Sequence, residues 1–220
     1  KKFTPVRLPW ASTKVGKTHE SQPAVIESKN YSQNNEQEII MNYFNGRIGT
    51  LMDIGANDGA TLSNSRQMIL SGWKGILLEP SPKAFDKLRL LYQHTPQWQN
   101  VLLLDYGISN VSGTVEFHES GSFQNAGPDV GLLSCINPKE KERWGSTVQF
   151  NSIKAEMRTF KEMYSDLAQF TLGGESIKKI NFISIDAEGM DFEILKQINL
   201  TEVGCECFCI EHNSVQDMVN

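Results

Sequence analysis

The chain has 220 residues, 39% of them hydrophobic and roughly 47% apolar once its 17 glycines are included, the ordinary range for a chain able to bury a sizeable core. That composition excludes a wholly disordered chain, a collagen and a coiled coil, and no apolar run approaches the ~18 residues of a membrane span. With 21 basic against 26 acidic residues the net charge is −5 and neither sign forms a long block, so neither a nucleic-acid partner nor a membrane span is expected.

Residues 1–30 are polar, broken by Pro5, Pro9, Gly16 and Pro23, and read as an arm or linker, with residues 31–220 as one domain. No signal peptide opens the chain, which begins at Lys1 as a trimmed product or fragment would; a cytoplasmic location is expected. From Ser32 the pattern turns helical, with Ile39, Ile40, Tyr43 and Phe44 on one face and Gly46 and Gly49 ending it. Thr50 to Ile54 reads as a strand, Ala60 to Leu70 as a helix and Gly75 to Leu78 as a second strand. Ser81 caps a helix with Pro82 in its first turn and a face of Ala84, Phe85, Leu88, Leu91 and Tyr92.

Val101 to Leu104 is the third strand, and Thr114 to Phe117 an extra short one after the Ser112-Gly113 turn. Residues 121–146 are rich in Gly, Pro, Ser and Asn, long for a plain connection, and predict a lid over an acceptor pocket, with Lys139 to Arg143 a solvated turn and Trp144 a packing anchor. Thr159 caps a helix with the face Phe160, Met163, Tyr164 and Leu167. Ile180 to Ile185 is a buried strand, Asp191 to Ile198 a helix and Cys205 to Ile210 another strand. Apolar strands alternating with helices predict a parallel α/β sheet covered on both faces. Cys205, Cys207 and Cys209 alternate along one run and read as reduced, buried thiols.

Two segments carry chemistry. In Asp53-Ile54-Gly55-Ala56-Asn57-Asp58-Gly59 a strand enters a glycine-punctuated turn, which lets a ligand approach the backbone closely. The spacing Gly55-x-x-x-Gly59 fails the dinucleotide fingerprint, which disfavours a nicotinamide dehydrogenase; a plain tight turn would look similar. Glu79, 24 residues after Gly55, ends the next strand, where a carboxylate can accept both hydroxyls of a ribose. Asp105 ends the third strand, one position further along, within reach of an adenine amino group. The second segment, Ser184 to Asp191, puts Asp186, Glu188 and Asp191 at the carboxyl end of a buried strand. Clustered acids there suit a base, a cation or a hydroxyl-rich ligand, although Asp191 also reads as a helix cap.

In combination these motifs resemble the FkbM family of S-adenosylmethionine-dependent methyltransferases. Tyr31-Ser32-Gln33-Asn34-Asn35-Glu36, then Asp53 to Gly59, then Glu79-Pro80-Ser81-Pro82, then Asp186 to Asp191 follow the family's order over about residues 31–213. Gln37 departs from the acid frequent there. The resemblance implies a class I (Rossmann-like), doubly wound, mostly parallel sheet, with the C-terminal hairpin missing because the chain stops nine residues after Glu211. It implies S-adenosyl-L-methionine as cofactor, with Asp53, Gly55, Asn57 and Gly59 around its methionine end, Glu79 on the ribose, Asp105 to Ile108 (Gly107 included) beside the adenine, and Asp186 and Glu188 facing the methyl group and acceptor.

The family association is O-methylation of a sugar or other small-molecule hydroxyl, so a small-molecule or carbohydrate acceptor is expected. Removing a hydroxyl proton needs a general base within reach. Glu188 is the first choice and His212, past the fifth strand, the second; His94 and His118 read as exposed or structural. A metal held by Asp186, Glu188 and Asp191 is a weaker alternative, and no metal is expected. The rival class is a binding module that uses the fold without chemistry.

Overall fold

The structure is a computed structural model that describes residues 29–123 and 131–211. The arm expected over residues 1–30 therefore lies almost wholly outside the described residues, as do His212 and part of the expected lid. In chain order the elements are α1 (Glu36–Phe44), β1 (Thr50–Ile54), α2 (Arg66–Leu70), β2 (Lys74–Leu78), α3 (Pro82–Tyr92), a 3-10 turn (Pro96–Asn100), β3 (Val101–Leu104), β4 (Gly107–Ile108) and β5 (Gly113–Phe123). They continue with α4 (Pro138–Trp144), β6 (Val148–Arg158), α5 (Phe160–Leu167), β7 (Thr171–Leu172), β8 (Glu175–Ser176), β9 (Phe182–Ile185), α6 (Asp191–Leu195), α7 (Leu200–Val203) and β10 (Cys207–Ile210).

Continuous apolar runs at β1, β2, β3, β9 and β10 leave no polar face, so these strands pair in parallel with helices on either side. They form one sheet in the order β10-β9-β1-β2-β3. Alternate residues serve opposite layers. Leu51, Leu77 and Phe182 pack with Ile40 and Phe44 of α1, Met68 and Ile69 of α2, and Phe85, Leu88 and Tyr92 of α3. Met52, Ile54, Ile76 and Ile183 pack with Phe160, Met163 and Leu167 of α5 and Ile194 of α6. The doubly wound, mostly parallel sheet expected from the sequence is present.

The register positions the site. Ile54 lies opposite both Leu78 and Ile185, Leu78 opposite Leu104, and Ile185 opposite Ile210. The next residue of each strand is therefore Gly55, Glu79, Asp105, Asp186 or Glu211, a row along the carboxyl edge of the sheet. All five strands are parallel, but their order in the sheet reverses at β1, with β2 and β3 added on one side and β9 and β10 on the other. Such a switch point opens a crevice beyond the strand ends.

Several expected boundaries move. The helix predicted over Ala60 to Leu70 starts only at Arg66, because the Asp58 carboxylate accepts the amides of Ala60 and Thr61 and the Thr61 hydroxyl, holding a turn instead. In α1 the buried face is Gln37, Ile40 and Phe44, while Ile39 and Tyr43 are exposed; the amide of Gln37 accepts from the Tyr31 N–H and donates to the Lys29 carbonyl. The short strand predicted at Thr114 to Phe117 is the eleven-residue β5, paired antiparallel with β6, which the sequence reading lacked. Lys139 to Arg143 belongs to α4, started by the Asn137 side chain accepting from the Lys139 N–H and by Pro138 in its first turn.

Candidate functional site

The loop after β1 is shaped by backbone demands. Gly55 has φ +88, and a Cβ there would lie 1.8 Å from the Asp186 carbonyl oxygen, so only glycine lets the ends of β1 and β9 touch. Gly55 and Ala56 both donate to the Leu78 carbonyl, tying the loop to β2 as well. Asn57 sits at φ 48, and both polar atoms of its side chain are buried without a hydrogen-bond partner. Buried amides are normally satisfied, so an orphaned one beside a cavity marks a place for a ligand.

Glu79 bridges this loop to α3. One carboxylate oxygen accepts the Asn57 N–H at 2.9 Å and the other the Ser81 N–H at 2.7 Å, and the side chain is buried. Burial, countered by those two amides, pushes its pKa up to about 7. Asp53, within β1, accepts from the Ser65 hydroxyl at 2.5 Å and from Ser184, and burial raises it to about 6. Ser81 also donates from its hydroxyl to Glu119, which joins the start of α3 to β5.

Across the switch point, Asp186, Glu188 and Glu211 bring one oxygen each to within 4.8 Å of one another. Asp186 lines the cavity, and its carboxyl is pushed up to about 8 by burial first and the Glu211 charge second. Glu188 rises to about 9 for the same two reasons, with Asp186 adding to them. Asp191 is absent from this trio. It is 1% exposed and turns back to accept the N–H groups of Ala187 and Gly189 at 2.7 and 3.0 Å. Glu211 takes the place expected for it, a substitution that follows from the strand register.

These groups line one cavity of about 430 Å³. Asp53, Gly55, Asn57, Glu79, Gly107, Asp186 and Glu188 all reach it. Two expected cofactor residues do not. Gly59 lies beneath the loop, where a Cβ would meet Leu88 at 2.4 Å, so it serves packing against α3. Asp105 is exposed at its strand end, away from the cavity wall. His212 falls outside the described residues. His94 is exposed, and His118 is buried with Nδ1 3.2 Å from the Ser152 hydroxyl.

Further residues border the cavity, among them Gln33 and Glu36 of the motif before β1 and Trp144 of the expected lid, the others having been passed over in the sequence. Gln33 and Glu36 come from the α1 approach, Ser63 and Asn64 from the loop before α2, Phe117 and Met157 from the β5–β6 unit, Ile136 from the segment before α4, and Trp144 from α4. Of the site residues not singled out from the sequence, Glu211 had a usable signal in its position at a strand end. The lining holds six carboxylates (Glu36, Asp53, Glu79, Asp186, Glu188 and Glu211) and, among the described residues, no Lys, Arg or His.

A five-stranded, mostly parallel sheet wrapped by helices, with its cavity at the carboxyl edge, defines a Rossmann-like α/β fold of the methyltransferase class. The family model for the Methyltransferase FkbM domain matches residues 53–219, and the chain belongs to that family. It is a methyltransferase. Comparison with curated proteins and with solved structures gave no match. Among the described residues no helix is long and apolar enough to cross a membrane.

Proposed function

We propose that the chain transfers a methyl group from S-adenosyl-L-methionine to a hydroxyl of a sugar or another small uncharged molecule. The observation that carries this reading is the meeting, around one cavity, of the Gly55–Asn57 loop, the buried Glu79 and the Asp186–Glu188–Glu211 trio. The residues fit the cofactor: Gly55 leaves room at the backbone, the Asn57 amide lacks a partner, and Glu79 keeps lone pairs for ribose hydroxyls. When bound, the cofactor supplies a methyl group on a positively charged sulfur, ready for in-line displacement.

The chain's own work is positioning and proton removal. Gly107 flanks the adenine side, where a larger residue would strike Met157 and Pro80. Glu188 faces the acceptor and takes its proton; a base held near pKa 9 is better matched to an alcohol than an ordinary carboxylate. A wall of carboxylates without cations disfavours a phosphorylated or carboxylated acceptor, while Phe117 and Trp144 offer flat apolar faces for a sugar ring. Four free thiols accord with a reducing, cytoplasmic setting.

The test combines calorimetry with S-adenosylmethionine and S-adenosylhomocysteine and mass spectrometry of a mixture of unmodified polyols and methyl glycosides. Binding of both nucleosides and a product heavier by one methylene unit are expected, with phosphorylated analogues left unmodified. Absence of nucleoside binding, or methylation confined to anionic compounds, overturns the proposal.

A further inference from the structure

We propose that Asp191 is a positioning residue that sets the direction of Glu188, an inference resting on the reading of Glu188 as the base. Among the described residues the Glu188 carboxylate has no hydrogen-bond partner of its own, so its aim is fixed by the backbone beneath it. That backbone is unusual. Glu188 has φ +46 and Gly189 φ +90, two successive residues in the left-handed region, which a side-chain-bearing residue occupies only when its surroundings impose it.

Asp191 supplies the imposition. Its two oxygens accept the N–H groups on either side of Glu188, those of Ala187 and Gly189, from a position 1% exposed. Hydrogen bonds to a buried carboxylate are among the stronger ones in a protein. A second restraint comes from above: a Cβ at Gly189 would meet Glu140 of α4 at 2.8 Å, so α4 rests directly on the turn. The Met190 N–H donates to the Ala187 carbonyl at 3.3 Å and closes it. With both Asp191 oxygens occupied by the backbone, the side chain acts through Glu188 and not on substrate.

Asp191→Asn keeps the volume but presents an NH2 group where one amide needs an acceptor, so one side of the clamp is lost. In the full-length chain, amide exchange followed by NMR should show Ala187 and Gly189 losing protection while the sheet amides and S-adenosylhomocysteine affinity stay as in wild type. Methyl transfer to the polyol and methyl glycoside mixture should fall about 10–100-fold, the usual result of misplacing a reacting group by an ångström. In a Glu188→Gln background the same substitution should change the rate less than about twofold, because the two residues act as one unit. Unchanged protection at Ala187 and Gly189, or a full additive loss in the Glu188→Gln background, overturns the inference. If Glu188→Gln alone leaves transfer intact, the base assignment itself fails, a result distinct from additivity.

Discussion

At Gly55 the physics of one missing side chain decides whether two strand ends can meet. A methyl group there would overlap the Asp186 carbonyl, and backbone cannot step aside as a flexible side chain does. Gly55→Ala is therefore expected to cost roughly 1–3 kcal/mol in strain and displacement, read by chemical denaturation, and to abolish cofactor binding even where the fold survives. Glu79 poses a different question, because its oxygens already hold the Asn57 and Ser81 amides. Glu79→Gln preserves shape but puts an NH2 group against donors. Cofactor affinity should weaken by roughly 10–150-fold, the worth of a hydrogen bond to a charged group, and calorimetry returning wild-type affinity would remove Glu79 from the ribose role.

Among the elements, α4 has the clearest separate duty. Trp144 borders the cavity while Asn137 and Glu140 lean on Gly189, so one short helix both walls the cavity and packs on the turn that carries Glu188. Trp144→Ala should remove roughly 0.5–1.5 kcal/mol of ring contact, raising the acceptor KM about three- to tenfold in steady-state assays while cofactor Kd holds. What the sequence disclosed of the elements follows the strength of their patterns. Buried parallel strands such as Phe182–Ile185 are apolar throughout, and Ser81-Pro82 and Thr159 cap helices by chemistry that is local, so these were legible. Strand β6 was not, because its apolar positions change parity between Phe150 and Ile153 and only one face is covered. Asp186 and Glu188 were legible as a motif, whereas Glu211 joins them through strand register, a contact no local pattern records.

On the scale of the whole molecule, carboxylates gather at one sheet edge with no cation among the described residues lining the cavity, and this sets the pH response. Asp53, Glu79, Asp186 and Glu188 are raised to about 6, 7, 8 and 9, chiefly by burial, against about 4 in an unfolded chain. Between those values the folded state binds more protons than the unfolded one, so stability falls as pH rises. The contribution is full below about pH 4 and is lost progressively up to about pH 9. Glu36, Asp58, Glu162, Glu175 and Glu206 are shifted downward and act with the opposite sign in more acid solution; most lie at the surface, where solvent weakens them. The ligand-free protein should thus show a melting temperature that declines steadily from about pH 5 to 9, and Glu188→Gln should flatten the upper part of that decline. Bound S-adenosylmethionine, which brings net positive charge to the acids, should hold the curve higher and flatter than neutral S-adenosylhomocysteine does. Activity should move the other way, with kcat/KM climbing as Glu188 loses its proton and levelling above about pH 9. Opposed trends in stability and turnover would come from the same carboxylates, whereas a melting temperature that stays flat from about pH 6 to 9 would mean that these acids are already ionised in the folded chain.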